Sequence, residues 1–390
     1  MTTFVIAFIA YGVRYTFSML LPEMMRDLNL TNVQAGLMYT GFLTLHALTS
    51  VLVGFLVDVR GVKKTVLMFL PFFGIGTGLM SLTFSDWSGA LFFGIAGVGA
   101  SVCWTPLVIW VQRAYPSRRG FFLGVLQVGC NIGFGVLGLV IPLMTPHIGW
   151  RGCWATLGVI AVLLPLSLAV ITPEVGSSHT ASSRRLLEHI KGFKFAFKSQ
   201  GFWLGGVSYM LASFAIMIPM TFSKAYANLE LGVNPTAATA LFSITGFIGI
   251  IGAISIPMIS DKIGRRPSIA ICNILMAIGL VGSALLARTF IDIALWSIIV
   301  GISYGAVWPL YATLIKDLFG WEVVGSVTGL WTLLCGIGLL LSPPVGGLIA
   351  DMTGSYRPTY MMGGVVAMAS TLLALATRTG RHKPCHIARM

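Results

Sequence analysis

The sequence predicts an all-α membrane protein in which twelve transmembrane helices form two related six-helix bundles. Three observations predict it. Of the 390 residues, 56% are hydrophobic and only 9% are charged, whereas soluble domains carry about 25% charged residues. Apolar runs long enough to cross a bilayer recur twelve times, and the charged loops between them repeat at a fixed interval. A chain this long with so little charge has too few ionic groups to cover a water-facing surface. That excludes a soluble enzyme, a nucleic-acid binder and a disordered scaffold.

A crossing helix needs about 20 mostly apolar residues. Such runs lie at 4–22, 35–57, 65–84, 88–112, 120–143, 151–171, 202–223, 237–260, 268–287, 291–315, 324–350 and 358–376. They are too long, and apolar on too many sides, for barrel strands, which alternate over about 10 residues. The 46 glycines have no collagen period and suit close helix packing in lipid. Connections are short except for 172–201, where Ser177, Ser178, Ser182, Ser183, Arg184, Arg185, Lys191, Lys194 and Lys198 make a polar, basic linker. The expected organisation is an N-terminal bundle over 1–171, the linker over 172–201, a C-terminal bundle over 202–377 and a basic tail over 378–390.

Lys and Arg set the orientation. With both termini in the cytoplasm, 19 of the 25 Lys and Arg fall on inside segments. Arg26, Arg151, Lys224, Arg288 and Arg357 fall outside, and Arg14 lies within a span. That asymmetry obeys the positive-inside rule, so the net charge of +13 reflects cytoplasmic loops rather than a nucleic-acid partner. The expected location is the plasma or inner membrane. No cleavable leader is expected, because the first span has no basic flank before it and no small-residue cleavage site after it. An earlier start to the chain is left open. Five of the six cysteines, Cys103, Cys130, Cys153, Cys272 and Cys335, sit in spans as small apolar residues. Neither a disulfide framework nor a metal spacing is visible. His382, Cys385 and His386 read as part of the basic tail rather than as ligands. No cofactor is expected.

The two halves repeat. The second loop reads Gly54-x-x-x-Asp58-Val59-Arg60-Gly61-Val62-Lys63-Lys64, and the eighth reads Pro257-x-x-x-Asp261-Lys262-Ile263-Gly264-Arg265-Arg266. Asp58 and Asp261 are 203 residues apart, as are Gly61 and Gly264. In the fourth and tenth spans, Gly97 and Gly301 are 204 apart, as are Trp104 and Trp308. A parallel repeat of this kind places a binding site near the midplane, between the halves.

These loops and spans resemble the major facilitator superfamily, whose loop motif has the form Gly-x-x-x-Asp-Arg-x-Gly-Arg-Arg. The second copy matches at Asp261, Lys262, Gly264, Arg265 and Arg266, with Pro257 in the glycine's place. The first departs, with Val59 at the arginine position and Arg60 one place later. The resemblance covers the whole chain and implies a transporter rather than an enzyme. A carboxylate at a helix end facing guanidinium groups makes a charge-assisted contact. Asp58, Arg60, Lys64, Asp261, Arg265 and Arg266 are therefore the expected cytoplasmic gate. The bland alternative is that these cations only satisfy topology.

Arg14 is the most informative residue. It lies mid-span, where an arginine costs about 2.5–3.5 kcal/mol on insertion scales. All twelve acids lie at span ends or in loops, so none is left at the midplane to pair with it. Arg14 is expected to face a water-filled cavity and to bind an anion from outside, for which a planar fork of donors suits a carboxylate or phosphate. Tyr11 and Ser18, at i−3 and i+4, share its face. Gln127 and Asn131 share a face of the fifth span. Trp104, Trp110 and Trp331 are further aromatic candidates. In the resembled superfamily helices 1, 4, 7 and 10 line the cavity, which singles out Tyr209, Tyr304, Trp308 and Tyr311. His46, inside the second span, is the candidate for proton coupling. The competing reading for each is ordinary packing or a satisfied hydrogen bond.

A narrower resemblance rests on Ser342-Pro343-Pro344-Val345-Gly346-Gly347 followed by Asp351, Thr353, Gly354 and Tyr356, and on Pro116-Ser117-Arg118-Arg119-Gly120. These are similar to the monocarboxylate transporters and oxalate:formate antiporters. That branch usually carries a further cation in helix 8, and the antiporters another in helix 11. Neither 237–260 nor 324–350 has an interior Lys or Arg. One fixed positive charge favours a monoanion over a dianion. The leading reading is a monomeric secondary transporter of a small organic monoanion, a monocarboxylate, working by alternating access with protons as the candidate coupling ion. The alternatives are a non-transporting sensor on the same fold and a facilitator-type drug or solute exporter.

Overall fold

The computed structural model describes residues 2–115, 119–173, 197 and 199–377. The side chain of Asp58, most of the basic linker and the 378–390 tail lie outside the described residues. Among the described residues every regular element is a helix. The first half comprises α1 (Thr2–Leu28), α2 (Asn32–Arg60), α3 (Val62–Leu79), α4 (Asp86–Ala100), α5 (Thr105–Ala114) and α6 (Arg119–Ile171). The second comprises α7 (Gln200–Ala225), which ends in a π-turn over Tyr226–Glu230, then α8 (Pro235–Ile263), α9 (Arg265–Leu286), α10 (Phe290–Thr353) and α11 (Arg357–Ala376).

Two of these helices each cross twice. α10 carries the separate apolar stretches Phe290–Phe319 and Val327–Thr353. The apolar part of α6, Phe122–Ile171, is 50 residues long. At about 1.5 Å per residue it is more than twice the thickness of the hydrocarbon core. Its direction changes at Gly149, whose φ of 65° is left-handed. With α4 and α5 forming one broken crossing, the count among the described residues is twelve. The large side chains on the outer faces fit lipid, with Leu48, Val51, Leu143, Leu163, Val365 and Leu372 all more than half exposed.

The fourth crossing is not the continuous helix that its apolar run suggests. α4 stops at Ala100 and α5 starts at Thr105, with Pro106 in its first turn. Proline has no N–H to donate and disfavours helical backbone in the residue before it. The counterpart Pro309 is accommodated inside α10.

The repeat extends well beyond the loops. Gly61 and Gly264 both hold φ near 90° between two helices. Gly149 and Gly354, 205 residues apart, are both left-handed at the next matching turn. Asp27 pairs with Arg151 in the first half, and Glu230 pairs with Arg357 in the second. The two acids are 203 residues apart. Side-chain caps recur likewise, Ser85 on α4 and Thr289 on α10, 204 apart.

Inside each half, backbones approach closely across glycine. A methyl at Gly97 would lie 2.2 Å from the Phe42 carbonyl oxygen, and one at Gly305 would lie 1.8 Å from that of Gly249. Gly305→Ala is therefore expected to cost about 1–3 kcal/mol by overpacking. Gly336→Ala, with nothing within 4 Å of the added carbon, gains about 0.5–1 kcal/mol of helix preference. Thermal unfolding of the purified variants in detergent should show midpoints shifting in opposite directions.

Candidate functional site

Arg14 stands near the middle of α1, half-buried, on a wall shared by α1, α2 and the break between α4 and α5. Its Nε donates to the Tyr39 hydroxyl at 3.2 Å. Its guanidinium carbon lies 5.5 Å from the ring centre of Tyr15, 5.8 Å from Phe42 and 6.0 Å from Tyr11. Aromatic faces attract a cation without neutralising it. Among the described residues no carboxylate forms an ion pair with Arg14. With Ala10, Tyr11, Phe42, His46, Ala100, Cys103 and Trp104 it lines a cavity of about 20 Å³, room for a water-sized group.

His46 shares this cavity. Its ring stacks parallel to Phe42, 6.0 Å between centres, and its Nδ1 is buried without a hydrogen-bond partner. Tyr11 packs edge-on against Trp104. The broken fourth crossing places Cys103 and Trp104 on the wall, where a continuous helix would present a different register. Tyr15, Tyr39 and Phe42 were not singled out by sequence. Tyr39 and Phe42 come from a neighbouring helix, and no spacing within α1 points to them.

The other sequence candidates divide. Ser18 is fully buried with an unpartnered hydroxyl and does not line this cavity. Gln127 donates to Asn131 at 3.4 Å, and Asn131 is sealed where α6 meets α8. Tyr304 shares a hydroxyl–hydroxyl bond of 3.0 Å with Tyr15 and so joins the halves beside Arg14. Tyr209 stacks on Tyr311 at 4.5 Å and meets Trp308 edge-on. The Tyr311 hydroxyl is committed to a buried network with Ser208, Ser370 and Asn273. Trp331 donates to the Phe202 carbonyl.

Among the described residues, the motif loops make their contacts within one half. Arg265 pairs with Asp261, one turn away, and lies 3.7 Å from Asp317. Arg266 donates to the Leu375 carbonyl. These bonds tie α8 to α11 together. Arg60 reaches Met68, and Lys64 is exposed. The halves are instead joined at the opposite end, the Asp27 end. There Lys224 binds Glu23, Arg26 binds Asn228, and Asp351 accepts from the backbone N–H groups of Asn32 and Val33. Among the described residues, the hydrogen bonds between halves run from this end only as far as the Tyr15–Tyr304 level.

The family model described as Major Facilitator Superfamily matches residues 3–338 and 206–386. The chain belongs to the major facilitator superfamily. This facilitator is 26% identical over 321 residues to Monocarboxylate transporter 12-B of Danio rerio, covering 74% of this chain and 67% of that one. It is 27% identical over 291 residues to Monocarboxylate transporter 4 of Mus musculus, covering 72% and 61%. The chain thus spans about two thirds of the length of these curated relatives. Its fold is similar to that of the nucleoside transporter NupG, with TM-score 0.79, 15% identity and coverage of 96% and 98%. The D-xylose-proton symporter superposes with TM-score 0.75 at 17% identity, covering 95% of each chain. The relatives are transporters and not enzymes, and this facilitator is a multi-pass integral membrane protein.

The Tyr311 network separates structure from ligand contact. Tyr311→Phe strips a hydroxyl from a buried network, at about 1–3 kcal/mol, and is expected to lower the unfolding midpoint while leaving the concentration dependence of transport unchanged.

Proposed function

We propose that this facilitator is a secondary transporter of a small organic monoanion, a monocarboxylate, and that Arg14 holds the carboxylate. The observation that carries this is the Arg14 guanidinium, which lines a mid-membrane cavity and meets only a tyrosine hydroxyl and aromatic rings. Its terminal nitrogens match a carboxylate's two oxygens, and the monocarboxylate transporters among its relatives agree with that chemistry. With no second fixed cation on the cavity wall among the described residues, one negative charge is balanced.

The halves, 1–171 and 202–377, rock about this site, joined by the cytoplasmic linker 172–201. With the Lys- and Arg-rich end in the cytoplasm, the Asp27 end faces outward and the conformation described above is open inward. Asp58, Arg60, Lys64, Asp261, Arg265 and Arg266 then form the cytoplasmic gate, which makes contacts between halves only when that side closes. His46, beside Arg14, takes up the coupling proton. The protein works as a monomer in the plasma or inner membrane, and the tail 378–390 is cytoplasmic.

The test is uptake into liposomes holding the purified protein, with labelled lactate, pyruvate, formate and a neutral sugar. Saturable uptake of the anions, but not of the sugar, is expected. Arg14→Gln should weaken it about 10- to 100-fold, the loss of a charge-assisted bond worth about 1.5–3 kcal/mol. Anion binding without flux would identify a sensor instead. With an imposed pH gradient, His46→Gln should abolish accumulation against the substrate gradient. Accumulation that persists removes His46 from the proton path.

A further inference from the structure

The closed Asp27 end contains an ion pair that the Arg14 cavity does not use. Lys224, only 2% exposed, donates to Glu23 Oε1 at 2.6 Å and also to the Met19 carbonyl. Glu23 lies on α1 and Lys224 on α7, so the pair joins the two halves. The pairing is half-made, because Glu23 Oε2 is buried without a hydrogen-bond partner. Few other titratable or charged groups face it. Arg26 on α1 donates to Asn228, and Cys153 on α6 lies near both members of the pair. Asp27 is engaged by Arg151 and Trp150. Among the described residues it is the ion pair that joins the two halves, so separating them at this end would break it.

We propose that Glu23 is a proton-binding site, and that a proton there unlocks the outward side of the transporter. A buried ion pair holds only while both charges are present. Removing one leaves the other sealed without a counter-charge, a strongly unfavourable state. A proton on Glu23 would leave the Lys224 ammonium closed against one carbonyl. Opening the Asp27 end gives that ammonium water. By linkage, protons on Glu23 therefore favour the open conformation. The inference deepens the alternating-access reading and rests on it.

Removing the lysine should reverse the sign. In Lys224→Met the closed state buries a lone carboxylate, and protonation then relieves that burial. Acid would close the outward side of this variant, whereas it opens the wild type. A pair that merely adds stability has no reason to show that reversal.

The experiment is the distance distribution between spin labels at Asn29→Cys and Thr236→Cys, on opposite halves of the Asp27 end. It uses the full-length protein in lipid nanodiscs with Cys385→Ser, at pH of about 7.5 and about 4.5. Wild type should shift from a short to a longer population as the pH falls. Glu23→Gln should populate the longer distance at both values. Lys224→Met should shift in the opposite direction to wild type. Glu23→Gln combined with Lys224→Met, which leaves Asp351 in place, should lose the response. A wild-type response in the double variant, or the wild-type direction in Lys224→Met, would overturn the proposal. No substrate is present, so failure of Arg14→Gln to affect uptake would remove the anion reading and leave this one standing. A distance that never changes in any variant, in protein that still takes up labelled anion, would overturn this one and leave the transport reading standing.

Discussion

A guanidinium at mid-membrane has to be neutralised, solvated or supplied with a partner, because hydrocarbon offers it nothing. Around Arg14 the chain supplies one hydroxyl and three aromatic faces. No carboxylate among the described residues completes the charge balance. This constraint organises the site. α1 is packed so that Arg14 opens on a cavity, the fourth crossing is broken beside it, and the Tyr15–Tyr304 bond that joins the halves lies against the same guanidinium. An anion arriving at Arg14 would therefore act next to a contact between the two halves.

The repeat distinguishes contacts inside the halves from the charged contact between them. Contacts inside each half come in matching copies, such as Asp27–Arg151 and Glu230–Arg357. Between the halves, the Thr40–Leu340 and Ser243–Gly135 hydroxyl–carbonyl bonds also match, but the Glu23–Lys224 ion pair has no copy. At the offset of 203 that relates Asp27 to Glu230, Lys224 corresponds to Leu21 and Glu23 to Tyr226. Arg14 corresponds to Met217, a fully buried core residue. Duplication thus explains two similar bundles, and Arg14, Glu23 and Lys224 are charges that break the symmetry. Small residues make that meeting close. A methyl at Gly36 would fall 2.5 Å from the Pro343 carbonyl oxygen, and one at Gly347 would fall 2.3 Å from that of Asn32.

Twelve crossings and two halves were legible in the sequence because lipid demands long apolar runs and because loop chemistry repeats with the fold. Arg14 was legible for the same reason, as one charge in an apolar run. Its surroundings were not. Tyr39 reaches it from α2, and that contact depends on helix packing that no spacing within α1 encodes. Ser18, chosen because i+4 shares a face, is buried away from the cavity, since a helix face in a bundle divides between cavity and packed neighbour. The break at residues 101–104 was foreshadowed only by Pro106, and the similar Pro309 leaves its helix whole. The charged contacts that join the halves in this conformation belong to Glu23, Lys224 and Asp351 at the end opposite the motif loops. A sequence names the charges at both ends, but which end is closed belongs to the conformation.

The most direct test of the central claim is an experimental density map of the protein in lipid with saturating pyruvate. The account predicts carboxylate density within hydrogen-bond distance of the terminal nitrogens of Arg14, with Nε still on Tyr39. A guanidinium closed onto a protein carboxylate, or pyruvate bound away from Arg14, would contradict it.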